Sequence, residues 1–133
     1  MRVILIVLML LARPVWAQDS AAPGIEATIS NQMEAFLADD VDRAFTYASP
    51  GIRGFFRTPD RFGSMVREGY PMVWRPKSFT FGELREINGV LWQKVIVQDA
   101  DGALHALDYR MIQTDGDWRI DAVQMLPAPD LSA

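Results

Sequence analysis

The chain has 133 residues, half of them hydrophobic, with 13 basic and 17 acidic side chains and no cysteine. That length suits a single domain. A net charge of −4 lacks the basic footprint of a general nucleic-acid binder, and the absence of thiols excludes disulfides, a cysteine nucleophile and a lipidated cysteine.

Residues 1–17 read as a cleavable secretory signal: basic Arg2, an apolar run from Val3 to Ala12, and the small-residue sequence Val15-Trp16-Ala17. The ten residues of that run rise about 15 Å as a helix, half of a hydrocarbon core. No stable membrane anchor is therefore expected. Cleavage after Ala17 removes two arginines and no acid, so the basic residues fall from 13 to 11 against 17 acids, a net charge of −6. The expected product is periplasmic or secreted, with a flexible lead-in over 18–24, one domain over 25–126 and a tail over 127–133.

Ile25, Ile29, Met33, Phe36 and Leu37 recur at helical spacing and predict an amphipathic helix from about Ile25 to Ala38. Asp39-Asp40 closes it and offers a cap to a shorter helix marked by Val41, Ala44, Phe45 and Ala48, which Ser49-Pro50-Gly51 is expected to end. Thr58-Pro59 starts a third helix, because threonine caps free amides and proline at the first position loses no needed donor. Phe62, Met65 and Val66 supply its buried side, and it ends near Gly69-Tyr70-Pro71.

From Ser78 the period becomes two, with turn signals at Asn88-Gly89, Asp99-Ala100-Asp101-Gly102 and Asp115-Gly116. Four strands in an antiparallel meander follow. Two-residue loops pair Ile87 with Val90 and Thr114 with Asp117, while a three-residue loop with left-handed Gly102 pairs Asp99 with Ala103. Continued without interruption, this register puts Gln93, Tyr109, His105 and Gln124 on the face toward the helices, beside small Gly82 and Ala122. The opposite face then carries an uncharged row of Phe81, Ile96, Ala106 and Met125, with Trp92 further along.

Three N-terminal helices on a twisted four-stranded meander, an α+β fold, resemble the cone-shaped nuclear-transport-factor-2-like, or cystatin-like, superfamily. More narrowly, Ala44-Phe45-Thr46-Tyr47-Ala48-Ser49-Pro50, followed by Phe62-Gly63-Ser64-Met65-Val66 and Tyr70, resembles an uncharacterised bacterial family, domain of unknown function 4864, over about 25–126. That family brings no activity or catalytic residues to transfer. The superfamily resemblance implies a cleft between helices and sheet that hosts ligands or catalysis in some relatives.

Gln93, Tyr109, His105 and Gln124 are accordingly the candidate ligand-binding residues for an unidentified small molecule, since apolar lining with a few convergent polar groups is how such pockets are built. Phe81, Trp92, Ile96 and Met125 are the candidate interface of a sheet-mediated homodimer. An enzyme is the third reading, with no catalytic residue nominated. No cofactor or metal is called for: the single histidine has no cysteine or second histidine to share a metal, and a calcium loop starting at Asp99 would need glycine and glutamate where Leu104 and Arg110 stand. Six basic residues between Arg53 and Lys77, against Asp60 and Glu68, give that segment a local net of +4. They read as solvated charge or as a site for an anionic ligand or acidic partner.

Overall fold

In the computed structural model, which describes residues 14–127, helix α1 (Pro14–Leu37) runs across the whole domain. Ile25, Ile29, Met33 and Phe36 are completely buried along one side of it. Thr28 and Gln32 interrupt that apolar side, yet each spends its polar group on a neighbouring element. Thr28 Oγ1 donates to the Trp118 carbonyl at 3.1 Å, and Gln32 Nε2 donates to the Ala44 carbonyl at 3.2 Å. The helix extends further toward the N-terminus than its apolar spacing indicates. Residues 18–24, expected to be a flexible lead-in, are helical, and Ala21 joins the core. Residues 1–13, most of the expected secretory signal, and 128–133 of the expected tail lie outside the described residues. No described helix is long and apolar enough to cross a membrane.

Four short helices follow: α2 (Val41–Thr46), α3 (Pro50–Phe56), α4 (Pro59–Gly69) and α5 (Pro71–Trp74). The caps of α2, α3 and α4 share one chemistry: side-chain oxygens of Asp40, Ser49 and Thr58 accept from the amides of Arg43, Ile52 and Arg61, each filling a donor that the first turn leaves open. Ser49-Pro50, expected to end a helix, starts one, by the same grammar as Thr58-Pro59. Phe62 of α4 is the packing hub, with ring centroids 5.9 Å from Phe36, 5.3 Å from Phe45 and 5.8 Å from Phe56.

The sheet is an antiparallel meander in the order β1 (Ser78–Ile87), β2 (Val90–Gln98), β3 (Leu104–Thr114), β4 (Asp117–Met125). All three turns close as expected, with left-handed backbone at Asn88-Gly89, Gly102 and Asp115-Gly116. Two β-bulges change what lies beyond them. In β1, Leu84 pairs with Gln93 but Phe81 pairs with Val95, so two residues face one at Gly82-Glu83. In β4, Ile120 pairs with Met111 but Ala122 pairs with Arg110, leaving Asp121 as the extra residue.

Because side chains alternate, one inserted residue reverses the face of everything past it. Phe81 and Met125 therefore stand in the helix-facing row with Val95 and Leu107, not on the outer face. Gln124 moves the other way: it pairs with Asp108 on the outer face and is exposed. The uncharged outer row expected for a homodimer thus loses two of its four members; Ile96 and Ala106 stay, as does Trp92 further along. Between them sits an ion pair, Arg85 gripping both oxygens of buried Asp108 at 2.7 and 2.8 Å.

Helices α2 and α4 approach closely at Gly63, where a Cβ would fall 2.7 Å from Val41 Cγ1 and 3.3 Å from its Cβ. A Gly63→Ala variant gains up to about 1 kcal/mol of helix propensity and loses about 1–3 kcal/mol to overpacking. The expected outcome is a lower urea midpoint with unchanged slope; a raised midpoint would show that Val41 yields without cost.

Candidate functional site

The helix-facing side of the sheet and the helices do not fill the space between them. A cavity of about 290 Å³ remains, floored by buried Phe36, Val66, Val73, Tyr109 and Ile120 from five different elements. Its rim is partly exposed: Ile52 and Phe56 from α3, Met65 from α4, Tyr70, and Asp121 to Val123 from the bulged end of β4. The floor and walls are almost wholly hydrocarbon. A molecule entering here trades water for aromatic and aliphatic contact.

Gln32, Tyr70 and Asp121 bring polar groups to that lining that are already hydrogen-bonded, and Tyr109 brings one that is not. Tyr109 is 1% exposed, and its hydroxyl has no hydrogen-bond partner among the described residues. Burial pushes its pKa well above the ordinary phenol range, with nearby Tyr70 adding to the effect. The group is therefore a neutral O–H, able to donate at any physiological pH. Tyr70, by contrast, is satisfied, donating to the Val123 carbonyl at 3.1 Å.

Asp121 holds the mouth. Its Oδ1 accepts from the fully buried Ser49 Oγ at 2.7 Å, and its Oδ2 lies 3.6 Å from Arg110 Nε. Ser49 Oγ in turn accepts the Ile52 amide at 3.2 Å, so one hydroxyl caps α3 and fastens it to β4. Serine and aspartate in contact here form a structural clamp, and the histidine needed for a triad is elsewhere. Among the described residues no three metal-ligating side chains converge.

Of the four ligand candidates named from the sequence, Tyr109 alone lines the cavity. Gln93 is buried beside it in register, but its Nε2 donates to the Gly82 and Lys94 carbonyls at 3.0 and 2.9 Å. Its task is to staple the β1 bulge, supplying the donor that the interrupted ladder does not. Gln124 is on the far side of the sheet. His105 belongs to the β2–β3 turn, its Nε2 2.8 Å from Asp99 Oδ2. Sequence reasoning missed Ser49, Ile52, Phe56 and Asp121; the repeated Ser/Thr-Pro start was the signal for the first three.

Asp99 is the electrostatic centre of that turn. Its carboxyl pKa is held below the ordinary carboxylate value, first by the hydrogen bond with His105 and then by the amides of Ala103 and Asp101. A carboxylate depressed in the folded state stabilises above its unfolded pKa, and the contribution disappears as pH falls through the folded one. Acidification below about 4 is thus expected to release the Ala103 amide, read as faster hydrogen exchange. Asp99→Asn should flatten the profile, and an Asp99 midpoint at or above 3.8 would contradict it.

Among comparisons with known proteins, no curated protein and no solved structure matches the chain. A family model does, over residues 18–133, the one described as "Domain of unknown function (DUF4864)". With most of its length covered by that match, the chain belongs to the DUF4864 family.

Proposed function

We propose that this domain is an exported binding module for a small, largely apolar molecule carrying one hydrogen-bond acceptor, held between the helices and the sheet with Tyr109 as its polar anchor. The observation that carries the reading is the orphaned Tyr109 hydroxyl against an apolar cavity. A buried hydroxyl without a partner costs about 1–3 kcal/mol, a cost that a ligand acceptor would remove. The volume of about 290 Å³ is roughly twice that of an engineered cavity that takes benzene, which fits a substituted aromatic ring or a short acyl chain. Helices laid over a meander with a cleft between them also support the nuclear-transport-factor-2-like resemblance. Export rests on the signal grammar of residues 1–17, and the family match beginning at Gln18 supports cleavage there.

Two probes of like shape, acetophenone with its carbonyl acceptor and isopropylbenzene without one, test the anchor by calorimetry. Wild type is expected to prefer acetophenone by about 2- to 12-fold, the worth of one neutral hydrogen bond. Tyr109→Phe should erase the preference while raising the stability of the free protein by about 1 kcal/mol, or roughly 4 °C in melting temperature for a domain this size. A Tyr109→Phe protein that is less stable and keeps the preference would sink the reading, as would failure of either probe to bind.

A further inference from the structure

Helix α3 is unlike the other helices in having no buried residue. It rests on the domain through Ile52 and Phe56 at the cavity rim and through the Ser49 clamp. Next to Phe56, Phe55 projects into solvent at 77% exposure, well above Met125 at 50%, Leu37 at 46% and Ile87 at 45%, the other exposed large apolar residues. Its ring is not adrift. It meets Phe56 edge-on with centroids 4.9 Å apart, and Phe56 packs on the core hub Phe62. The side chain is a supported apolar wedge.

Arginines surround this wedge along the chain. The Arg57 amide bonds to the Arg53 carbonyl at 2.8 Å, which puts those two one turn apart on α3, and Arg61 follows in the first turn of α4. Among the described residues none of Arg53, Arg57 and Arg61 has a carboxylate within ion-pair distance, whereas Arg75, Arg85, Arg110 and Arg119 all do. Arg43 and Arg67 also lack one but lie over the Tyr47 and Trp74 rings, and Lys77 and Lys94 lack one elsewhere; residues 53–61 hold three such cations beside a single carboxylate, Asp60, in a chain of net charge −4.

From this juxtaposition we infer that α3 and the α3–α4 junction form a peripheral docking surface for an anionic lipid bilayer. Phe55 enters the headgroup boundary while Arg53, Arg57 and Arg61 pair with lipid phosphates. Reversible interfacial binding needs both terms, buried apolar surface and charge attraction. An acidic protein segment would satisfy the arginines but leaves Phe55 without a role. The position of the wedge beside the cavity rim is what favours lipid, since apolar solutes partition into bilayers and the rim would face that reservoir. That choice of lipid rests on the proposed ligand cavity, whereas the docking surface itself stands on Phe55 and the arginines and is tested with no cavity ligand present.

Cosedimentation of the whole chain with vesicles tests it, comparing pure phosphatidylcholine with vesicles holding about 30% phosphatidylglycerol. Binding to the anionic vesicles is expected to exceed that to neutral ones and to be released by about 500 mM salt, where screening acts within a few ångströms. Arg57→Gln and Arg61→Gln should each lower the anionic partition about fivefold, and Phe55→Ser by about tenfold. Residues 1–17 carry Arg2 and Arg13 and are the same in wild type and every variant, so the surface is read from the ratio of variant to wild type on anionic vesicles. Phe55 and both arginines are exposed; an unchanged urea midpoint verifies folding. Equal binding to both vesicle types, indifference to Phe55→Ser or to the arginine pair, or capture by polyglutamate in place of vesicles would each overturn the inference.

Discussion

The Ser49 amide donates to the Ile120 carbonyl at 2.8 Å, and the Ile120 amide donates to the Tyr47 carbonyl at 2.9 Å. This pair of bonds, a short parallel bridge between Ala48 and Ile120, stitches the helical half to the free edge of β4. Bonds of this kind are worth about 0.5–1.5 kcal/mol each, but leaving their buried groups unpaired costs more. Their larger effect is geometric. The bridge closes the exposed edge at that position and presents Ser49 to Asp121, so that the start of α3, the bulge and the rim of the cavity are determined together.

Both bulges serve the same geometry from opposite edges of the sheet. A bulge adds a residue to one strand and increases its local twist. One in β1 and one in β4 turn Phe79, Phe81, Val123 and Met125 toward the helix side, where Phe79, Phe81 and Val123 pack against the core. Each bulge needs a side chain to settle its loose polar groups. Gln93 does so in the sheet interior for Gly82, and Ser49 receives the displaced Asp121 at the rim. Burying Gln93 is tolerable because its amide nitrogen makes two hydrogen bonds; its Oε1 has no partner among the described residues.

Turn chemistry was fully legible in the sequence, because Asn-Gly, Asp-Gly and a left-handed Gly102 each specify one loop length and hence one register at the turn. Faces far from the turns were not, since period two propagates any missed insertion. The sequence did contain a warning. Uninterrupted pairing places Thr80 and Gly82 inward with Phe79 and Phe81 outward, and Gln124 inward with Val123 and Met125 outward. Polarity is inverted in both edge strands beyond the same level, and a glycine within a strand is itself a bulge signal. Tyr109 was readable as a site residue because β3 carries no bulge between it and the central ladder with β2. Asp121 was not, because a displaced residue has no regular partner from which to infer its direction.

The cavity and the wedge meet on α3, the element with the least holding it. Gly51 and Gly54 lower its intrinsic helix stability, none of its residues is buried, and its C-terminal cap, Arg57, adopts a φ of +74°, a conformation unfavourable for a side chain of that size. What fixes it is the Ser49 cap and the seating of Ile52 and Phe56 over the apolar space. Such segments open at lower free energy than the core. A force applied at Phe55 is transmitted through its contact with Phe56 to the rim, while the Ser49–Asp121 clamp anchors the other end. Movement of α3 about Ser49 would therefore widen the mouth at the expense of the Phe56–Phe62 contact, leaving the remaining hub contacts of Phe62 with Phe36 and Phe45 in place.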